Sequence, residues 1–157
     1  MESDNNKEMK VAKLCNGTVI DHIPSDKLFK VISLLGLENT TSQITFGYNL
    51  DSQKIGKKAI IKIADRFLDP DEVNKVSLIA PNAQIVIIRN YQVTEKKQLI
   101  LPEEICGEVK CLNPKCITNN EPMCTRFVAI DRAKGLYKCL YCERMVSTEE
   151  MIVTKDC

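Results

Sequence analysis

The chain has 157 residues, of which 44% are hydrophobic, 27% charged and 5% aromatic, and its formal net charge is +1. That length suits one medium domain or two small ones, and the composition is ordinary for a globular protein. With no run of about 18 apolar residues and a polar opening, Met1-Glu2-Ser3-Asp4-Asn5-Asn6-Lys7, the sequence argues against a membrane span and a signal peptide. A reducing, cytoplasmic setting follows, in which clustered cysteines signal metal before disulfides. Charge argues against nucleic acid as a partner. Residues 1–102 hold 14 Lys and Arg against 12 Asp and Glu, and residues 103–157 hold 8 against 9, whereas phosphate binding needs a basic excess.

The first hundred residues alternate between strand and helix patterns. Lys10 to Asp21 leans towards strand, with a break near Asn16-Gly17. Pro24-Ser25 opens a helix with Ser25 at the N-cap; Leu28, Val31, Ile32 and Leu35 form its stripe and Gly36 ends it. Gln43 to Leu50 alternates with the period of a half-buried strand, and Lys57 to Ala64 is a second strand. In that second strand Ala59, Ile61 and Ile63 share one face, and Lys58, Ile60 and Lys62 the other. Asp69-Pro70-Asp71-Glu72 reads as a capping box with proline at the first helical position. Val73, Val76, Ile79 and Ala80 then supply the buried stripe, and Pro81 stops the helix. Ala83 to Val93 is a final apolar strand, and the polar run Thr94–Gln98 leads to a boundary near Leu101.

The order β-α-β-β-α-β predicts an α+β fold: a ferredoxin-like antiparallel sheet with two helices on one face over residues 1–101. The other face is left for a ligand or partner. Residues 102–157 read as a small all-β zinc ribbon of rubredoxin-like type. Six cysteines lie between positions 106 and 142, so the ligand set needs choosing. Cys106 and Cys111 are joined by Gly107-Glu108-Val109-Lys110, which reads as strand and points the two side chains apart. Leu112-Asn113-Pro114-Lys115 can instead turn the chain back, and Cys139-Leu140-Tyr141-Cys142 is a two-residue knuckle. Cys111, Cys116, Cys139 and Cys142 are therefore the expected ligands of one structural Zn²⁺, iron being the chemical alternative. Cys15, Cys106, Cys124 and Cys157 are expected as packed or exposed free thiols.

Catalytic constellations are missing. The only histidine is His22, Gly56-Lys57-Lys58 lacks the rest of a phosphate loop, and no GxGxxG occurs. A closed four-thiolate site also keeps no position for substrate. The residues thus describe a non-catalytic binding module with a metal-built appendage.

The runs Gly17-Thr18-Val19-Ile20-Asp21-His22-Ile23-Pro24, Ile61-Lys62-Ile63, Ala80-Pro81, Asn90-Tyr91 and Leu101-Pro102-Glu103, together with the four cysteines and Tyr141-Cys142-Glu143, resemble the regulatory chains of aspartate carbamoyltransferase. The resemblance covers nearly the whole chain, from about Val11 to the last knuckle. It implies an allosteric domain that binds the nucleoside triphosphates CTP, UTP and ATP, with Mg²⁺ as a companion ion, in the control of pyrimidine synthesis. Asp21 and Lys62 would hold the ribose, and His22 and Lys96 would face the phosphates, with Lys58 adding charge. Main chain around Leu14, Ile88 and Tyr91 would read the base, and Val11 and Val93 would flank the nucleotide.

It further implies a zinc domain that grips the catalytic chain, Asn113 and Glu143 standing at contact positions and Lys115 replacing a polar amide. Two catalytic trimers would assemble with three regulatory dimers, each dimer formed through the N-terminal domain. Val86 stands where the family can carry a base-binding asparagine, and Ala12 where it can carry an acid. An RNA- or DNA-binding protein is the alternative from another class, and a small metal-dependent enzyme a further one.

Overall fold

The structure is a computed structural model and describes residues 14–154. The chain divides into two compact units. One comprises the chain up to Val73 together with Asn82–Leu99, and the other Asn74–Pro81 together with the chain from Ile100 onward.

In the first unit, β1 (Gly17–Pro24), β2 (Ile44–Ser52), β3 (Gly56–Ala64), β4 (Gln84–Arg89) and β5 (Gln92–Gln98) form one sheet in the order β2-β3-β1-β4-β5. Every pairing is antiparallel. Helix α1 (Leu28–Leu34) follows β1 and helix α2 (Pro70–Ile79) follows β3. The first four strands with these helices are the ferredoxin-like arrangement, and β5 extends the sheet by one strand.

Parity in β3 decides the faces. Ala59, Ile61 and Ile63 are fully buried, while Lys58, Ile60 and Lys62 are partly exposed. Ile20 stands opposite both Ile61 and Ile85, so the buried row continues across β1 and β4. Helix α1 adds Leu28, Val31 and Leu35 to the buried set, and left-handed Gly36 (φ 64°) ends it.

Several local expectations need correction. The expected first strand starts at Gly17 and runs on to Pro24, and residues 10–13 lie outside the described residues. Ser25 does not cap a helix. A 3₁₀ turn over Ser25–Lys27 comes first, so its hydroxyl falls inside the turn, buried and without a hydrogen-bond partner among the described residues. The capping box does form: Glu72 N–H donates to Asp69 Oδ1 at 2.8 Å, and Asp69 N–H to Glu72 Oε1 at 3.4 Å. However, α2 buries Val76, Ser77 and Leu78 rather than Val73 and Ile79. Its second half belongs to the other unit, where Leu78 packs, so a single-sided stripe does not describe it.

The expected strand Ala83–Val93 breaks at Asn90-Tyr91, both left-handed (φ 52° and 63°), which makes a two-residue hairpin. The polar run after it is β5, exposed throughout. An edge strand with no buried side shows no apolar alternation and reads as a linker.

The second unit is a zinc ribbon. β6 (Glu104–Cys106), β8 (Arg126–Asp131), β9 (Leu136–Cys139) and β10 (Met145–Ser147) form a sheet in the order β10-β9-β8-β6, and β7 (Val109–Lys110) pairs with β11 (Ile152–Val153). The strand expected through Gly107 is interrupted there by a left-handed turn (φ 73°). Phe127, Tyr137, Ile105, Val109 and Val146 form the core with Cys111, Cys116 and Cys139. Tyr137 is fully buried, and its hydroxyl donates to the Pro102 carbonyl at 2.5 Å. The phenol thus brings no unsatisfied polar group into the core.

At Gly17, β1 leaves no room for a side chain beside β3. Its φ is +149°, and a Cβ there would lie 2.0 Å from the main-chain oxygen of Ile63. Gly17→Ala is therefore expected to lower stability by about 2 kcal/mol or more, read as a drop in the urea midpoint of the metal-loaded chain. An unchanged midpoint would show that the two strands part at no cost.

Candidate functional site: a four-cysteine centre and a charged sheet face

The ribbon's strands are short, and its two cysteine pairs lie at their ends. Cys111 follows β7 and Cys116 precedes a 3₁₀ turn, while Cys139 ends β9 and Cys142 lies in the turn to β10. The ligand atoms of all four lie within 4.8 Å of one another. Cys111 and Cys142 sulfurs are 3.6 Å apart, and those of Cys116 and Cys139 are 3.8 Å apart. A tetrahedron with Zn–S bonds of about 2.3 Å has an edge of about 3.8 Å, so the sulfurs stand at the spacing that such an ion requires.

The protons fit the same reading. Burial pushes the Cys111 thiol up to about 12 and raises Cys139. Burial also acts upward on Cys142, but donation from the Arg144 N–H and the Asn113 side chain outweighs it and leaves this thiol at about 7. Two thiols that burial keeps neutral, beside one at about 7, make a poor apolar core. A divalent cation that displaces their protons converts them into one closed unit.

Outside this group, Cys15 and Cys106 are free thiols, the latter exposed. Cys124 is disulfide-bonded, which corrects the expectation of a free thiol. Spacing sorts cysteines that come in close pairs and is uninformative about one that stands alone. Cys157 lies outside the described residues.

The second constellation is on the sheet. Directly opposed residues of antiparallel strands share a face. Lys62, Val19, Val86 and Lys96 therefore form one row across β3, β1, β4 and β5, on the face opposite the buried isoleucines. At about 4.8 Å between strands, the two lysine backbones stand about 14 Å apart. Asp21 stands opposite Gln84, and Ile88 pairs with Val93.

A regular strand would send Asp21 and His22 to opposite faces. The register instead slips between Ile20 and Ile23, and His22 takes a left-handed φ of 59°. The bulge lets both side chains approach each other: His22 Nδ1 is 3.9 Å from Asp21 Oδ1 and has no hydrogen-bond partner among the described residues. Asp21 Oδ1 accepts from Lys58 Nζ at 2.9 Å and from the His22 N–H at 2.6 Å.

The segment before β1 runs beside the β4–β5 hairpin. Tyr91 N–H donates to the Cys15 carbonyl at 2.9 Å, and Asn90 N–H to Asn16 Oδ1 at 3.1 Å. This brings Leu14, partly buried, towards Tyr91 and Val93, which are 68% and 61% exposed. Asn16 carries no site signal in the sequence, where Asn16-Gly17 reads only as a break; its role depends on a partner 74 positions away. Val11 and Ala12 lie outside the described residues. No described helix is long and apolar enough to cross a membrane.

Comparison with known proteins gives both halves a relative. Residues 9–100 match the family described as aspartate carbamoyltransferase regulatory chain, allosteric domain, and residues 103–152 match the same chain's metal binding domain. An aspartate carbamoyltransferase regulatory chain of Phocaeicola vulgatus is 58% identical over 147 residues, 94% of this chain and 95% of that one. The protein of the same name from Bacteroides fragilis is 55% identical over 151 residues, 96% and 99% of the two chains. Its archaeal counterpart from Pyrococcus horikoshii is 45% identical over 147 residues, 92% and 97%. With both halves matched and similarity running nearly end to end, the chain belongs to the family of aspartate carbamoyltransferase regulatory chains, non-catalytic subunits with an allosteric domain and a metal-binding domain.

Proposed function

We propose that the first unit senses nucleoside triphosphates and that the second, built around Zn²⁺, docks on the catalytic chain and passes the signal on. The observation that carries the first part is the gathering of charge on one sheet face. Lys62, Lys96 and Asp21 reach it by strand parity, and His22 by the bulge. Lysine ammonium groups and a protonated imidazole suit a polyphosphate, and a carboxylate suits ribose hydroxyls. Lys58, now paired with Asp21, supplies a further cation within reach of the same ligand.

The base is read by main chain. Tyr91's N–H is already committed to Cys15, so its carbonyl is the group offered, with those of Leu14 and Ile88, to the amino edge of cytosine or adenine. Val86 adds shape without a donor or acceptor. CTP with UTP would lower catalytic activity and ATP would raise it, each by binding one quaternary state better than the other. Mg²⁺ would accompany the triphosphates.

The metal's part is structural. Binding free energy of about 10–16 kcal/mol for such a site is folding free energy, and the folded knuckles present Asn113, Lys115 and Glu143 beside exposed Ile117, Leu140 and Tyr141. An apolar patch with a polar rim suits a stable protein contact.

The first unit has a comparable patch of its own. Phe29, Phe46 and Tyr48 are 59%, 49% and 47% exposed, with the Phe29 ring 6.4 Å from Phe46 and 5.8 Å from Tyr48. Phe46 and Tyr48 lie on β2, an edge of the sheet. Aromatics beside an open edge suit pairing with a second copy, and three such dimers would bridge two catalytic trimers.

Three outcomes follow. Calorimetric titration of the metal-loaded chain is expected to detect CTP and ATP, and Lys62→Ala or Lys96→Ala to weaken binding about 10-fold or more, the loss of one charge-assisted hydrogen bond. If the unaltered chain binds neither nucleotide at millimolar concentration, the sensing role is wrong. Displacing the metal with a mercurial is expected to free this chain from its catalytic partner on gel filtration, and an intact complex after complete metal loss would refute the docking role. Phe46→Asp is expected to turn the isolated regulatory dimer into monomer in sedimentation equilibrium; an unchanged mass would assign the aromatic patch to something else.

A further inference from the structure

The two knuckles of the sulfur centre are completed in different ways. In the short one, main-chain groups serve, joined by the Asn113 side chain, which donates to Cys142 sulfur. Cys139 sulfur receives the N–H groups of Tyr141 and Cys142. Glu143 N–H closes on the Cys139 carbonyl at 2.9 Å, and Cys139 N–H on the Arg144 carbonyl at 3.0 Å.

The long knuckle, with Leu112-Asn113-Pro114-Lys115 between its cysteines, leaves carbonyls that no two-residue turn would leave. Side chains from the following 3₁₀ turn meet them. Asn119 Nδ2 donates to the Cys111 carbonyl at 2.8 Å and to the Asn113 carbonyl at 2.7 Å. Asn120 Nδ2 donates to the Cys116 carbonyl at 2.8 Å and to the Pro114 carbonyl at 3.1 Å. Between Cys116 and these amides stands Thr118, whose hydroxyl donates to Cys116 sulfur at 3.2 Å.

The geometry points to Thr118 as a positioning residue for the metal, acting through the sulfur of Cys116. Four thiolates around a divalent cation carry about two negative charges in excess. A hydroxyl aimed at one sulfur takes up part of that charge and fixes the direction in which the remaining lone pairs face the ion. Cys116 is 1% exposed, so water cannot substitute as the donor. Asn119 and Asn120 hold the loop that carries the sulfur, whereas Thr118 touches the sulfur itself. A change at Thr118 should therefore alter the metal's electronic surroundings as well as its affinity.

This inference rests on the reading that the four sulfurs hold a divalent ion, and the unaltered chain's own uptake of Co²⁺ tests that reading separately. The experiment uses the full-length chain and its Thr118→Val and Thr118→Ser variants, titrated with Zn²⁺ against a chromophoric chelator and with Co²⁺ by absorption. Thr118→Val, which keeps the shape and removes the hydroxyl, is expected to bind Zn²⁺ about 10-fold more weakly or worse and to shift the sulfur-to-cobalt charge-transfer band. Thr118→Ser, which keeps the hydroxyl, is expected to stay within about 2-fold of the unaltered chain, with its band unmoved. A valine variant that takes up no metal while the serine variant loads normally supports the assignment equally. Unchanged affinity and spectrum in the valine variant would overturn it, as would a serine variant that loses as much as valine does.

Discussion

Strands of two to six residues cannot bury enough apolar surface to hold a sheet together, and the described sheets of the second unit have none longer. Its coherence depends on four sulfurs within 4.8 Å of one another. Around them the core adds Phe127, Tyr137 and Ile105, each almost wholly buried, but these side chains alone make a very small core. An ion held by all four sulfurs would join residues 31 positions apart in sequence, Cys111 and Cys142, and the turns at both knuckles hang from those four residues. A surface made of turns gains rigidity when the atoms behind it are coordinated.

The first unit solves a different problem, which is to place charge over an ordinary apolar sheet. Strand parity alone puts lysines of β3 and β5 on one face. It cannot put two neighbouring residues of one strand there, and the bulge at Asp21-His22 does so at the cost of a left-handed histidine. Such conformations cost on the order of 1–3 kcal/mol and persist where the surroundings over-determine them. Here the Asp21 carboxylate takes the His22 N–H and the Lys58 ammonium together. The same pair of bonds that makes the bulge tolerable keeps a cation beside the face that would meet a triphosphate.

Each unit also leaves apolar surface uncovered: Phe29, Phe46 and Tyr48 on one, Ile117, Leu140 and Tyr141 on the other. Contiguous exposed aromatics are unusual for a protein that works alone. A regulatory chain works against a catalytic partner, and exposed apolar side chains of this kind are the surface such an assembly can cover.

Much was legible without coordinates. The β-α-β-β-α-β order follows from periodicity, and the capping box at Asp69–Glu72 from four consecutive residues, because these signals are local. The four-cysteine set follows from two close spacings, since a metal's geometry restricts which loops can close on it. The misreadings share one cause. Thr94–Gln98 reads as a linker because an exposed edge strand buries nothing, Ser25 as a cap because a 3₁₀ turn gives no periodic sign, and Cys124 as a free thiol because it has no near neighbour.

The sequence by itself therefore determined the β-α-β-β-α-β frame and the four cysteines that cluster, both of which depend on residues close along the chain. Tertiary structure alone decided that Asp21 and His22 converge, that Asn16 ties down the Asn90 hairpin, and that Leu78 serves the second core. Those outcomes depend on strand register and on contacts between distant positions, and no local pattern encodes them.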